Sequence, residues 1–244
     1  MIDKLRAMVE AMPENMNRST DLRMSSIGDC PRKLVYDFID GPGPISLEFY
    51  LKMESGKVIH ELLQKLFKQA YGDDFHSMEG EVSLPFMGGK LLGHPDGVLG
   101  SMRAVVEIKS VSDATFTKIS NENKPLDQHI EQTNIYAFAL KLPTCVIFYL
   151  NRETCELRLF VFDTSDEMAV VGVQRFVSVM EYRVAREIGP RPYSDKTESP
   201  CWYCHHKEKC YEGFSSEVGG GRSAHVDDPK ALELTDGAWK ARTQ

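Results

Sequence analysis

Gly93-His94-Pro95-Asp96-Gly97, followed by Ala104-Val105-Val106-Glu107-Ile108-Lys109, is the stretch that decides the reading of this chain. Both halves read as β-strands. Alternation along a strand sends successive side chains to opposite faces. Glu107 and Lys109 therefore share one face, and Ile108 faces the other way. Pro95 and Gly97 favour an irregular strand end, which presents Asp96 beside the second strand. Two carboxylates and an ammonium gathered this way can hold a divalent ion and activate water. Glu107 would bind the ion through oxygen, with Asp96 as the second carboxylate. The backbone carbonyl of Ile108 lies within reach of the same ion. Lys109 would position the water or help to deprotonate it.

Working outward, the period changes on both sides. Residues 79–86, 90–99 and 103–111 read as three strands separated by Gly-rich turns, an antiparallel meander. Upstream, an amphipathic helix is expected over about 46–70, with Leu47, Leu51, Val58, Leu62, Leu63 and Leu66 on its apolar face. It carries Gly56-x-x-x-His60, and an imidazole among the ligands makes manganese credible beside magnesium. The breaker DGPGP (40–44) precedes it. Before that, a helix over 30–39 opens at Cys30 with Pro31 in its first turn. Residues 1–17 are also read as helix. Downstream, 126–141 returns to helical spacing and holds Gln132-x-x-x-Tyr136. Strands follow at 145–150 and 157–162, then a helix over about 166–187. The order predicts an α/β (α+β mixed) fold, a mixed central sheet flanked by helices.

The chain has 244 residues, 42% of them apolar, enough for one large domain with a real core. The expected division is a single domain over 1–214 and a polar, flexible tail over 215–244. No window approaches the roughly 18 consecutive apolar residues of a membrane span. The N-terminus lacks the apolar core of a signal peptide. These features predict a soluble, cytoplasmic protein. The net charge of −7 argues against coating nucleic acid through bulk charge, but not against gripping a few phosphates. Basic residues gather at Arg32 and Lys33, and at Arg183, Arg186 and Arg191. Such groups are commonly solvated surface; Arg32 is carried forward as a DNA contact.

Six cysteines in such a chain favour metal binding over disulfides. Cys201-x2-Cys204-x5-Cys210 brings three thiols together, and Cys30 is the natural fourth. Four thiolates suit zinc or a 4Fe–4S cluster. His205 and His206 keep zinc in play. Cys145 and Cys155 sit in strand-like stretches and are read as thiols without a role.

Taken together, these residues resemble the PD-(D/E)xK nuclease superfamily, with its restriction-endonuclease-like core. Within it they are similar to the RecB-like branch that carries an iron–sulfur cluster, which includes CRISPR-associated exonucleases and AddB-type nuclease domains. The resemblance rests on Gly56-x-x-x-His60, Gly93-His94-Pro95-Asp96-Gly97, Glu107-Ile108-Lys109, Gln132-x-x-x-Tyr136 and the Cys30-Pro31-Arg32 start. It implies that His60, Asp96 and Glu107 bind Mn2+ or Mg2+ and that Lys109 is catalytic. Gln132 and Tyr136 would line the site and contact DNA, with Tyr136 stacking on a base. Gln128, on the same helical face, is a lesser candidate. The resemblance also implies a 4Fe–4S cluster on Cys30, Cys201, Cys204 and Cys210 that joins the two ends of the chain. The expected activity is exonucleolytic hydrolysis of single-stranded DNA ends, 5′ to 3′. Repair, recombination, CRISPR adaptation and phage DNA metabolism all suit it, with protein partners or oligomers in such complexes. Two rival readings are a catalytically weak DNA-binding or scaffold module, and an iron–sulfur redox protein.

Overall fold

The computed structural model describes residues 1–12, 19–197 and 200–212. The tail expected over 215–244, and the last residues of the domain read as 1–214, lie outside the described residues. Three helices open the chain: α1 (Ile2–Glu10), α2 (Pro31–Asp40) and α3 (Leu47–Tyr71). Five strands follow: β1 (Phe75–His76), β2 (Val82–Phe86), β3 (Gly89–Gly93), β4 (Gly97–Leu99) and β5 (Ala104–Val111). Then come α4 (Asp113–Glu122), α5 (Asp127–Leu140), β6 (Thr144–Asn151), β7 (Leu157–Asp163), α6 (Asp166–Ala185) and α7 (Lys207–Tyr211). Local chemistry sets several of these boundaries. Ser46, Ser112 and Ser165 each accept a bond from a backbone N–H in the first turn of the helix that follows. Pro31 opens α2, where a missing N–H costs nothing.

The main sheet has the order β1-β4-β5-β6-β7, antiparallel except for the parallel β5–β6 pair. It is the mixed sheet expected from sequence. β2 and β3 form a separate hairpin. The meander expected over 79–111 is therefore corrected: residues 90–99 are two strands in two different sheets. The break falls at His94-Pro95-Asp96, because Pro95 has no N–H to donate to a ladder.

Helices cover both faces of the sheet. On one face Val105, Val111, Cys145, Ile147, Tyr149 and Phe160 pack with α2, α4, α5 and α6 through Leu34, Phe116, Ile135 and Phe176. On the other, Val106, Ile108 and Val146 pack with Leu63, Ile59 and Phe67 of α3. The apolar face assigned to α3 was the wrong one in large part. Leu63 is buried, but Leu51, Val58, Leu62 and Leu66 are exposed. The helix carries two apolar rows, and the sheet takes the 59/63/67 row. Among the described residues, no helix is long and apolar enough to cross a membrane.

Gly93, last in β3, is required by packing. A Cβ there would lie 2.4 Å from the Tyr136 ring. The hairpin is thus pressed onto α5 immediately before the chain turns into Pro95-Asp96.

Candidate active site

β4 is three residues long, and its pairing with β5 stops at Gly97–Val106. From Glu107 onward that edge of β5 has no strand beside it. The Ile108 N–H, which a longer β4 would have bonded, donates instead to Asp96 Oδ2 at 2.6 Å. The N–H and C=O of one residue in a strand point to the same side. The Ile108 carbonyl therefore also faces the Asp96 edge, as a backbone ligand would need.

The other oxygen of Asp96 lies 3.0 Å from His60 Nδ1, so α3 reaches round the sheet edge to meet it. Burial works to lower the His60 imidazole. The hydrogen bond and the negative charge of Asp96 together outweigh it, and the His60 pKa stands above its ordinary value. One turn further along α3, Gln64 donates to the Asp96 backbone carbonyl and to Glu79 Oε1, at 3.1 and 2.9 Å.

Glu107 is almost fully buried. Its Oε1 receives Lys109 Nζ at 2.6 Å and Gln132 Nε2 at 2.8 Å. Gln132 Oε1 in turn accepts from Lys109 Nζ at 3.0 Å, so the amide bridges acid and base. Glu107 Oε2, equally buried, has no hydrogen-bond partner. Such an oxygen is costly to leave without a counter-charge. Desolvation is the main cause, and it pushes the Glu107 carboxyl up to about 7 despite Lys109 beside it. Glu107 Oε2, Asp96, the Ile108 carbonyl and the His60 nitrogen are the groups that could hold a hard divalent cation; among the described residues the ligand atoms of His60, Asp96 and Glu107 do not all lie within 4.8 Å of one another.

These groups line a cavity of about 710 Å³, together with Gln132 and Tyr136. Of the expected residues, His60, Asp96, Glu107, Lys109 and Gln132 come together. Tyr136 joins them, its hydroxyl accepting from Gln132 Nε2 at 3.4 Å, but it is 1% exposed with its ring against Gly93, so no base can stack on it. Two further expected DNA contacts lie elsewhere. Gln128 and Arg32 line a different cavity. Arg32 is held there by bonds to the Gly189 carbonyl and the Tyr36 hydroxyl. Arg183, from the basic group before the last cysteines, is buried and donates to the Leu34 carbonyl. Sequence reasoning missed Gln64, Glu79 and Phe38, which the fold alone brings to the site. Phe38 lines the first cavity and is 46% exposed.

The second cavity, of about 970 Å³, is lined by Cys30, Cys201, Cys204 and Cys210. Burial is the main cause that raises the Cys30 thiol, to about 11, and the neighbouring Cys201 and Cys204 add to it. Burial also raises Cys204. The four are free thiols. Zn–S bonds of about 2.3 Å would place ligand sulfurs less than ~4 Å apart. Among the described residues, no three of these sulfurs lie within 4.8 Å of one another.

A mixed five-stranded sheet flanked by helices, with an acid–lysine strand at its partly uncovered edge, defines the class: a mixed α/β fold. Three solved structures share it. The crystal structure of SSO0001 aligns with TM-score 0.55 and 18% identity, covering 88% of this chain and 98% of that one. An alkaline exonuclease from Laribacter hongkongensis, LHK-Exo, aligns with TM-score 0.53 and 14% identity, over 75% and 93%. The same exonuclease in complex with dAMP gives TM-score 0.53 and 15%, over 68% and 89%. At these identities the likeness establishes the fold. No family model and no curated protein matches the chain.

Proposed function

We propose that this chain is a divalent-metal-dependent DNA exonuclease of the RecB-like kind, acting on single-stranded ends with 5′-to-3′ polarity. The observation that carries the reading is the buried, partnerless Oε2 of Glu107 beside the Lys109–Gln132 pair. His60, Asp96, Glu107 and the Ile108 carbonyl would hold Mn2+ or Mg2+. Bound there, the ion supplies Lewis acidity to the phosphate and to the hydrolytic water. The chain's own residues do the rest. Lys109 Nζ, held by Glu107 and Gln132, presents its remaining N–H to water and to the charge that develops on the phosphate. Asp96 orients His60 and stays fixed through the Ile108 N–H. LHK-Exo is recorded with dAMP, the kind of mononucleotide an exonuclease releases. Phe38, half open beside the cavity, replaces Tyr136 as the surface on which a base would stack.

The test uses single-stranded DNA labelled at one end or the other, with manganese, magnesium or chelator. Release of mononucleotides from the 5′ end only with metal is expected. DNA binding without cleavage in any metal would favour the scaffold reading instead.

We also propose that Cys30, Cys201, Cys204 and Cys210 hold a 4Fe–4S cluster. Four sulfurs spread around one cavity support a multi-atom group. Its role is structural: it closes a loop of about 170 residues and adds binding energy to the folded state. Protein purified without oxygen should show the broad visible absorbance of such a cluster. Cys201→Ser should lose that absorbance and melt at lower temperature, yet still bind manganese at Glu107. Colour retained in Cys201→Ser would remove this residue from the cluster.

A further inference from the structure

A different group of side chains converges on one point beside α2, in the wall of the cavity that the four thiols also line. Asp37 Oδ1 lies 2.8 Å from His206 Nε2 and 3.3 Å from His205 Nε2. The three ligand atoms all fall within 4.8 Å of one another. Zn–N and Zn–O bonds of about 2.0–2.1 Å set tetrahedral ligands ~3.3 Å apart; the His205–Asp37 spacing matches, and the 2.8 Å His206–Asp37 contact, a hydrogen bond here, would open by about half an ångström around an ion.

Hydrogen bonding sharpens the point. The Gly43 N–H donates to His205 Nε2 at 2.7 Å. That nitrogen is therefore unprotonated, as a metal ligand must be, and its single lone pair is held by the Gly43 N–H, which an incoming ion would displace. His205 Nε2 and Asp37 Oδ1 thus face each other at 3.3 Å as two electron-rich atoms, an arrangement that a cation between them would relieve. Gly43 is needed for this approach: a Cβ there would meet the His205 ring at 2.2 Å. The GPGP breaker is the wall that presents the imidazole. His206 and Asp37 are buried, and His205 is one-third exposed, which leaves an entry path through the cavity. Lys33 occupies the other oxygen of Asp37 at 2.9 Å and also lies 3.5 Å from Asp29. Two carboxylates and one ammonium leave one net negative charge for an incoming cation.

We propose that Asp37, His205 and His206 form a further cation site, separate from Glu107 and from the four thiols. Two imidazoles and one carboxylate suit a late first-row divalent ion, zinc foremost, with an outer position left for water. The site joins α2 to the cysteine segment across 169 residues (37 to 206). Binding should therefore stabilise that junction.

Cobalt(II) is the probe, added anaerobically to the full-length protein and followed by visible absorbance. Wild type should develop the d–d bands of a tetrahedral nitrogen–oxygen site without thiolate charge transfer, and its melting temperature should rise. His205→Ala, at a partly exposed position, should bind this cobalt at least roughly 100-fold more weakly. Cys204→Ser should keep the bands, and Glu107→Gln should remove only cobalt bound at the other cavity. Far-UV circular dichroism of each variant shows whether it is folded, and His205→Gln serves if His205→Ala is not. A spectrum of folded His205→Ala or His205→Gln identical with wild type overturns the proposal. So does a charge-transfer band carrying all of the cobalt, or no uptake at all by folded wild type.

Discussion

Lys109→Ala is expected to lower the rate of strand cleavage roughly 10²- to 10⁴-fold, the range for removing a positioned proton-transfer group. The reason is geometric. Lys109 Nζ is the only side-chain cation that contacts Glu107 among the described residues, and Gln132 fixes it from the other side. With the ammonium gone, Gln132 has nothing to orient, and the water near the ion loses its donor. The variant leaves Glu107 buried without its counter-charge, so metal-free protein should also be less stable. Added manganese should restore much of that stability but none of the rate. End-labelled DNA in single-turnover cleavage, with thermal melts with and without manganese, checks both halves. A variant that cuts within a few-fold of wild type would remove Lys109 from the chemistry.

Glu107→Gln should separate stability from activity in the opposite sense. The Glu107 carboxyl titrates near 7 in the folded, metal-free protein, against about 4.5 for an ordinary glutamate. Below pH 4.5 both states are protonated, and burial costs little. Between 4.5 and 7 the unfolded chain ionises first, so the native state loses relative stability as pH rises. Above 7 the whole penalty is present, on the order of a few kcal/mol. Glutamine keeps the shape without the charge. Metal-free Glu107→Gln should therefore match wild type at pH 4 and exceed it at pH 8. Manganese should stabilise wild type at pH 8 and leave the variant unmoved, and cleavage should vanish. Urea unfolding at the two pH values, with and without metal, gives the comparison. Equal stability at pH 8 would mean that the carboxylate finds a partner other than the ion.

Much of this site could be read from sequence because it lies on one strand. A period of two places Glu107 and Lys109 together whatever the rest of the chain does. The order of the sheet was less legible. Pro95 reads as a strand end, but nothing local says that β3 then belongs to a second sheet. α4 went unseen because Thr115, Thr117 and Asn121 are weak helix formers; the Ser112 cap and the burial of Phe116 and Ile119 hold it. Tyr136 shows the limit of helical spacing. One turn from Gln132 gives the face but not the depth, and depth was set by the approach of Gly93 on another element. The two apolar rows of α3 made the same point, since spacing cannot say which one meets the sheet. The Asp37–His206 contact joins residues 169 apart in sequence, where no period operates.

The distance between Glu107 and the last cysteine has a consequence in time. A ribosome adds residues at roughly 5–20 per second, and domains tend to fold from the N-terminal side. Cys210 is made 103 residues after Glu107, so roughly 5–20 s pass between them. The rest of β5 and all of β6 and β7 are synthesised in that interval, before Cys201 exists. Glu107, Lys109 and the groups around them can thus meet on a nascent chain whose ends are still apart. Closure of the thiol cavity thus follows the strands of the sheet, and on the proposed cluster iron supply would govern that closure rather than whether the sheet can form.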